Sequence, residues 1–141
     1  MRLYLDTNIL VFLITNMRDE ISQRIWDLIN DYENILMTSY ESVRELIYLY
    51  LAGKIPKVKN RPSLRPSEVI SCIKKMNIQI VPISEHHLQM YSELPFYDDH
   101  KDPSDRLIIA QAIADKVSLV SSDRKFNRYE KNGLEFLYNE R

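Results

Sequence analysis

The chain of 141 residues has few of the residues on which several common kinds of site depend. Cys72 is its only cysteine, so the chain has no internal disulfide and no cysteine set for a structural metal site. Its only two glycines, Gly53 and Gly133, are too few for a GxGxxG fingerprint or a P-loop. The sequence therefore lacks the glycine-rich loops with which many α/β proteins bind nucleotides.

The chain also lacks a strong net charge and a long apolar run. Its formal net charge is -1, so any nucleic-acid binding has to come from a local patch. No apolar run approaches the ~18 residues of a membrane span. Asp6 and Asn8 interrupt the opening segment, which is unlike a signal peptide. We expect one domain over residues 1–141, without a membrane segment, in a reducing, cytoplasmic setting.

What the sequence does contain is an alternation of short apolar strands with amphipathic helices. Strands are predicted near residues 2–5, 35–37, 78–81, 117–120 and 134–137. Helices are predicted near residues 7–13, 21–29, 68–76, 85–94 and 103–114, and from Ser39 or Ser42 to near Gly53. This order predicts an α/β fold with three layers, α/β/α, around a mostly parallel central sheet of four to five strands.

Acidic residues stand where this pattern changes from strand to helix. Asp6 directly follows the first strand, Asp123 follows the fourth, and Asp102 and Asp105 open a helix. Glu45 lies one turn into its own helix. Because sites in parallel sheets lie beyond the carboxyl ends of the strands, we expect these carboxylates to gather at that edge.

Each acid has a local explanation when it is taken alone. A regular helix start is formed by Asp102 at the N-cap, Pro103 in the first helical position and Asp105 in the first turn. Asp102 can therefore be either a helix cap or a member of the site. Taken together, several carboxylates in one place repel each other unless a cation lies between them. A divalent metal ion, Mg²⁺ or Mn²⁺, removes that cost and supports phosphate chemistry by activating water and stabilising charge on the phosphate.

Glu45 joins this set on weaker local grounds. Its neighbours Val43, Leu46 and Ile47 are apolar, so its side chain can point inward beside the core, where an uncompensated carboxylate is costly. Glu41 is close by and is an alternative for the same role.

The motifs that carry these acids resemble those of the PIN-domain ribonucleases. Within that family, the likeness is to the VapC-type toxins of bacterial toxin–antitoxin pairs, and it spans Met1 to about Leu137. Four segments carry the likeness, in chain order LYLDTN, SVREL, DPSDRLIIAQA and LVSSDRKF. The most specific of them is DPSDRLIIAQA.

This resemblance implies a role for each position. The family has an acidic quartet that binds Mg²⁺ or Mn²⁺ and activates water for RNA cleavage. The matching residues in this chain are Asp6, Glu45, Asp105 and Asp123. Asp102 matches an additional acid of this subgroup and has a supporting role. Three polar positions near the site match as well: Asn8, Ser121 and Ser122. Position 104 departs from the subgroup, since it carries serine where phenylalanine is frequent.

The resemblance also implies an RNA substrate, a homodimer and a cognate antitoxin that inserts a segment over the acidic site. A basic stretch without acids runs from Gly53 to Arg65 and contains Lys54, Lys57, Lys59, Arg61 and Arg65. It can bind RNA phosphates or an acidic antitoxin tail, although a solvated loop explains it equally well.

Three further residues lie close to the acids in the sequence. Arg106 and Arg124 each follow a site acid, and either contacts phosphate or pairs with a neighbouring carboxylate. His100 precedes Asp102 and is a lesser candidate for substrate contact, since a lone histidine is more often structural.

Two other functions remain open from the sequence. A phosphoacceptor or phosphatase-like domain also places an aspartate after a parallel strand with Mg²⁺. A phosphatase of the DxD type, however, would carry Asp in place of Asn8, and a receiver domain would carry paired acids near the first strand. The other alternative is a non-catalytic PIN-like binding module, against which the intact acidic set argues.

Overall fold

The computed structural model describes all residues from 1 to 141. Its centre is a five-stranded sheet in the order β3-β2-β1-β4-β5, in which all neighbouring strands are parallel. The strands are β1 (Arg2–Leu5), β2 (Ile35–Ser39), β3 (Ile78–Val81), β4 (Ser118–Ser121) and β5 (Phe136–Tyr138). The α-helices are α1 (Thr7–Ile14), α2 (Gln23–Asn30), α3 (Tyr40–Leu51), α4 (Val69–Lys75), α5 (Glu85–Glu93) and α6 (Pro103–Asp115). Short 3-10 helices cover Arg18–Glu20, Pro66–Glu68 and Arg124–Asn132.

Both faces of the sheet are covered, because the strands are apolar on both sides. Leu3 and Leu5 of β1 face a core that includes residues of α1, α2, α3 and α4. Tyr4, which points to the opposite face as the strand alternation requires, packs in a second core with α6 and the 3-10 helix Arg124–Asn132. The predicted three-layer α/β/α fold with a parallel sheet is therefore confirmed.

The strand order reverses beside β1. The chain builds β2 and β3 on one side of β1, then crosses over through α6 to place β4 and β5 on the other side. Leu5 is in register with Val120, and the backbone N–H of Asp6 donates to the Val120 carbonyl at 2.9 Å. The crevice beyond the ends of β1 and β4 is therefore the topological switch point, where ligands bind in open α/β sheets.

The predicted elements differ from the observed ones mainly near the end of the chain. No helix was predicted between the last two strands, but residues Arg124–Asn132 form a 3-10 helix of nine residues. It ends at Gly133, whose φ of 103° suits glycine. The backbone N–H of Leu134 then donates to the Tyr129 carbonyl, so β5 begins at Phe136, two residues later than expected.

No helix combines the length and the apolar character that crossing a lipid bilayer requires.

Candidate active site

Asp6 is fixed at the end of β1 by three hydrogen bonds. It is the N-cap of α1, and its Oδ1 accepts from the Thr7 backbone N–H at 2.7 Å. Its Oδ2 accepts from the Ser121 hydroxyl at 2.6 Å and from the Asn8 amide at 3.3 Å. The side chain is 3% exposed, so its position is set by β1, α1 and β4 together.

Glu45 reaches the same place from α3. Ser39 caps this helix, since its hydroxyl accepts from the Glu41 backbone N–H, and the predicted alternative Ser42 does not serve as the cap. The Thr7 hydroxyl donates to Glu45 Oε1 at 2.7 Å, which ties the middle of α3 to the start of α1. Glu41 instead accepts from Arg44 and from the Ser104 hydroxyl. The packing of α3 therefore selects Glu45 for the cluster and directs Glu41 away from it.

Asp105 enters from the first turn of α6. Asp102 is the N-cap, and its Oδ1 accepts from the Asp105 backbone N–H at 3.0 Å, with Pro103 in the first helical position. The side chain of Asp102 is exposed and does not line the acidic cavity, whereas that of Asp105 does. The capping interpretation of Asp102 agrees with this geometry.

Asp123 follows β4 in a loop that the predicted polar residues hold. Its backbone N–H donates to the Ser121 hydroxyl at 3.0 Å, the same hydroxyl that donates to Asp6. The Ser122 backbone N–H donates to the Asn8 side-chain oxygen at 3.2 Å. Asn8, Ser121 and Ser122 thus connect the Asp6 and Asp123 segments.

These elements bring the four predicted carboxylates to one open cavity of about 290 Å³, lined by Asp6, Glu45, Asp105 and Asp123 together with Thr7, Asn8, Val11, Phe12 and Leu49. Carboxylate oxygens of Asp6, Glu45 and Asp105 lie within 4.8 Å of one another. No lysine or arginine forms an ion pair with any of the four. The cavity therefore concentrates negative charge without a basic side chain to neutralise it.

The pKa values follow from this crowding. Burial, and then repulsion from Asp6 and the other acids, raises the pKa of Asp105 to about 8. Burial raises the pKa of Asp6 to about 6, although its hydrogen bonds from Ser121 and Thr7 oppose the rise. Carboxyls with such raised pKa values hold their protons more strongly than free carboxyls, and they must lose them when a cation binds in the cavity.

His100 also lies at this site. Its Nε2 is 3.4 Å from Asp105 Oδ2, and its ring nitrogen lies within 4.8 Å of carboxylate oxygens of Asp105 and Asp123. Burial lowers the pKa of the imidazole. The sequence ranked this residue low because a lone histidine is more often structural, although its place two residues before the helix-opening Asp102 was a signal.

A family comparison agrees with this geometry. The model of the PIN domain family matches residues 3–132. The chain belongs to the PIN domain family. The match covers all four predicted acids and confirms the family that the sequence motifs indicated.

Solved structures of toxin–antitoxin complexes share this PIN fold. VapBC2 from Rickettsia felis, bound to a DNA fragment from its promoter, aligns with a TM-score of 0.68 at 22% identity, covering 99% of this chain and 100% of that one. DNA-bound VapBC from Salmonella typhimurium aligns with a TM-score of 0.66 at 20% identity, covering 98% of each chain. VapBC-1 from nontypeable Haemophilus influenzae aligns with a TM-score of 0.65 at 19% identity, again covering 98% of each chain. A comparison with curated proteins gives no significant match.

The basic residues of this PIN domain are not at its acidic cavity. The side chains of Lys54, Lys57, Lys59, Arg61 and Arg65 are exposed, and none of them lines the cavity. Lys54 lies beside α3, where its ammonium is 5.7 Å from the ring centre of Tyr48.

The two arginines beside the acids have other partners. Arg106 is 4% exposed and donates to the Pro95 and Leu94 carbonyls at 2.6 and 3.2 Å, so the expected contact with phosphate or a carboxylate is wrong. Arg124 is exposed and lies over the ring of Tyr138, where it forms no ion pair.

A second depression adjoins the acidic cavity of the PIN domain. It measures about 550 Å³ and shares Glu45 and Leu49 with the cavity. Tyr48 and Tyr91 are among its walls, and Tyr48 is 52% exposed. An aromatic groove therefore leads away from the carboxylates between α3, α5 and α6.

Proposed function

We propose that this PIN domain is a metal-dependent endoribonuclease that cleaves RNA phosphodiester bonds and acts as the toxin of a toxin–antitoxin pair. The observation that carries the proposal is the meeting of Asp6, Glu45, Asp105 and Asp123 in one cavity without a basic partner. Such a cavity is unfavourable in the empty, fully ionised state and favourable once a cation lies in it.

The donor set fits a hard divalent cation. Carboxylate oxygens are the ligands that Mg²⁺ and Mn²⁺ take in phosphate-processing sites. Oxygens of Asp6, Glu45 and Asp105 within 4.8 Å of one another can share one ion with little movement. Asp6, Glu45, Asp105 and Asp123 would hold Mg²⁺ or Mn²⁺, which when bound supplies water activation and stabilisation of charge on the phosphate.

The neighbouring polar residues keep these carboxylates in position. Ser121 donates to Asp6 and accepts from the Asp123 backbone, so one hydroxyl orients two acids. Thr7 orients Glu45 through its hydroxyl. Asp102 orients the first turn of α6 and thereby Asp105. Losing a hydrogen bond of this kind typically weakens metal binding by roughly 10- to 100-fold.

The adjoining groove suits an RNA strand with unstacked bases. The exposed ring of Tyr48 offers a stacking surface next to the cavity, and Lys54 lies beside that ring. The basic loop from Lys54 to Arg65 would add salt-dependent phosphate contacts away from the reacting phosphate, since none of its residues lines the acidic cavity.

The partners proposed for this chain follow the structures that share its fold. Those structures are complexes of VapB and VapC proteins, and a cognate antitoxin that covers the acidic cavity is the corresponding partner here. A homodimer and a cytoplasmic location belong to the same proposal.

A phosphoacceptor role has less support from the geometry. An aspartate that accepts a phosphoryl group must expose an oxygen to its donor, but Asp6 is 3% exposed and both its oxygens accept hydrogen bonds. The absence of labelling by acetyl phosphate would agree with this interpretation.

The nuclease proposal is tested with purified protein and a 5′-labelled single-stranded RNA, with the same sequence as DNA for comparison. We expect cleavage of the RNA with Mn²⁺ or Mg²⁺, none with EDTA, and recovery when metal is returned. Asp19→Asn is the matched control, since Asp19 is an exposed acid in the 3-10 helix Arg18–Glu20 and does not line the cavity. Cleavage that is unaffected by EDTA would contradict the proposal.

The toxin role needs a separate test. Induction of the chain alone should arrest bacterial growth, and coexpression of the protein encoded by the adjacent reading frame should restore growth. Growth that continues with active, well-expressed enzyme would refute the toxin role and leave the nuclease proposal standing.

A further inference from the structure

The imidazole of His100 is buried beside the carboxylates of Asp105 and Asp123 and is held there by several contacts. Its side chain is 4% exposed, and its Nδ1 lies 2.8 Å from the Tyr129 hydroxyl. Its ring meets those of Phe126 and Tyr129 edge to face, with centroids 5.8 and 5.4 Å away. The His100 backbone N–H donates to the Tyr97 carbonyl at 3.1 Å, which fixes the loop that carries the ring.

The other ring nitrogen has no hydrogen-bond partner. Nε2 is buried and points at the carboxylates, yet its 3.4 Å contact with Asp105 Oδ2 lacks the geometry of a hydrogen bond. A buried polar atom without a partner is uncommon and costs stability. Since the fold holds the ring from the Nδ1 side, this nitrogen is oriented toward something that the protein itself does not supply.

The position of Nε2 suits a metal ligand. His100, Asp105 and Asp123 offer ligand atoms within 4.8 Å of one another, and so do Asp6, Glu45 and Asp105. Two donors that bind one ion at about 2.1 Å lie roughly 3 to 4 Å apart. The 3.4 Å between His100 Nε2 and Asp105 Oδ2 falls in that range. The two sets share Asp105, as neighbouring ions in a two-metal site share a ligand.

We propose that His100, Asp105 and Asp123 form a second cation position, distinct from the all-carboxylate position, and that it prefers transition ions such as Mn²⁺ to Mg²⁺. The preference follows from the ligands, because Mg²⁺ takes oxygen donors and water whereas imidazole binds transition ions. The required tautomer carries its proton on Nδ1, which donates to the Tyr129 hydroxyl. Tyr129 is then a positioning residue that orients the ligand. This inference rests on the proposed metal dependence and extends it.

The test measures metal binding rather than cleavage. Mn²⁺ is titrated into the full chain by calorimetry, and the bound ion is examined by pulsed EPR for coupling to an imidazole ¹⁴N. We expect two Mn²⁺ ions in the wild type and the nitrogen coupling on one of them. In a large excess of Mg²⁺, one Mn²⁺ should remain, and it should be the one that shows the coupling.

The variant His100→Phe keeps an aromatic ring between Phe126 and Tyr129 and should bind one Mn²⁺ without nitrogen coupling. If this variant fails to fold, His100→Gln retains a polar partner for Tyr129, and the imidazole coupling must still disappear. His86→Phe is the control, because His86 is exposed on α5, away from the acids, and its ring hydrogen-bonds only the Ala114 carbonyl. It should retain both ions and the coupling.

The outcomes separate the two proposals. One Mn²⁺ without nitrogen coupling in the wild type would overturn the second position and leave the carboxylate site intact. Coupling that persists in both His100 variants would also overturn it. No Mn²⁺ binding at all would contradict the proposed metal dependence itself.

Discussion

Replacing Asp105 by asparagine should make the metal-free protein more stable while it abolishes RNA cleavage. The carboxyl of Asp105 is 24% exposed and stands among Asp6, Glu45 and Asp123 without a lysine or arginine partner. Asparagine has almost the same shape, carries no charge and can donate hydrogen bonds to the remaining carboxylates. A residue that costs stability and is needed for activity is what a metal site predicts.

The size of the effect follows from the pKa of this carboxyl. Its pKa rises from 3.8 to about 8, chiefly through burial and then through repulsion from Asp6. At ~1.36 kcal/mol per pKa unit, keeping this group in the folded, metal-free protein costs about 4 kcal/mol at pH 7 and approaches about 6 kcal/mol above pH 8. The pKa of Asp105 is higher in the folded protein than in the unfolded chain. Below about pH 4 this residue therefore does not reduce the free energy of unfolding, and the reduction grows to its full size as the pH rises through 8.

Thermal unfolding in EDTA at several pH values measures this cost. At pH 7 we expect the Tm of Asp105→Asn to exceed that of the wild type by at least about 5 °C, since each kcal/mol shifts the Tm by roughly 3 °C at this length. The difference should shrink toward pH 4. Added Mn²⁺ should stabilise the wild type and leave the variant almost unchanged, and Asp19→Asn should behave as the wild type in both conditions.

The reasoning would be refuted by a lower Tm of Asp105→Asn than of the wild type in EDTA at pH 7 to 8. It would be refuted equally by RNA cleavage at the wild-type rate, which would show that the acidic cavity is not the active site.

Three further predictions concern the same cavity. The affinity for Mn²⁺ should rise between pH 6 and pH 8, because Asp6 and Asp105, whose pKa values are raised to about 6 and about 8, must lose protons on binding; calorimetry showing equal affinity across this range would contradict it. Ser121→Ala should weaken Mn²⁺ binding by roughly 10- to 100-fold, because it frees both Asp6 and the Asp123 backbone, and an unchanged dissociation constant would show that this hydroxyl is dispensable. Glu45→Gln should lower the cleavage rate by at least ~100-fold and Glu41→Gln by far less, since only Glu45 lines the cavity; equal losses measured on the labelled RNA would mean that the distinction is wrong.

The acids at strand ends were predictable because of a general property of parallel sheets. Asp6 and Asp123 each follow a strand, and parallel neighbours bring their carboxyl ends to one edge of the sheet. Asp105 was predictable from the helix start at Asp102 and Pro103, which places it in the first turn. These positions depend on local pattern and on a topological rule, and both can be read along the chain.

The local sequence alone does not distinguish Glu45 from Glu41 as the acid that faces the site. Both lie on α3 about one turn apart, and the sequence around each allows either to face the site. The decision comes from the packing of α3 against α1, where the Thr7 hydroxyl donates to Glu45, and against α6, where Ser104 donates to Glu41. These contacts join residues that are 38 and 63 positions apart.

The role of Arg106 was misread for the same reason. Its place beside Asp105 suggested a phosphate or carboxylate contact, but adjacent residues on a helix point about 100° apart. Its guanidinium is buried on the α5 side, where it donates to the carbonyls of Leu94 and Pro95. Sequence proximity to a site residue is therefore a poor guide to the site within a helix.

By itself, the sequence determined the α/β alternation, the parallel sheet and the carboxylates that end its strands, because these depend on apolar periodicity and on helix capping over a few residues. The tertiary structure explained why Glu45 rather than Glu41 joins them, and it alone decided that Arg106 and the basic loop lie elsewhere and that His100 is oriented toward Asp105 and Asp123. The histidine ring is held by Tyr129 and Phe126 from a 3-10 helix more than twenty residues farther along the chain. Contacts at such separation depend on how whole elements pack, which no local pattern specifies.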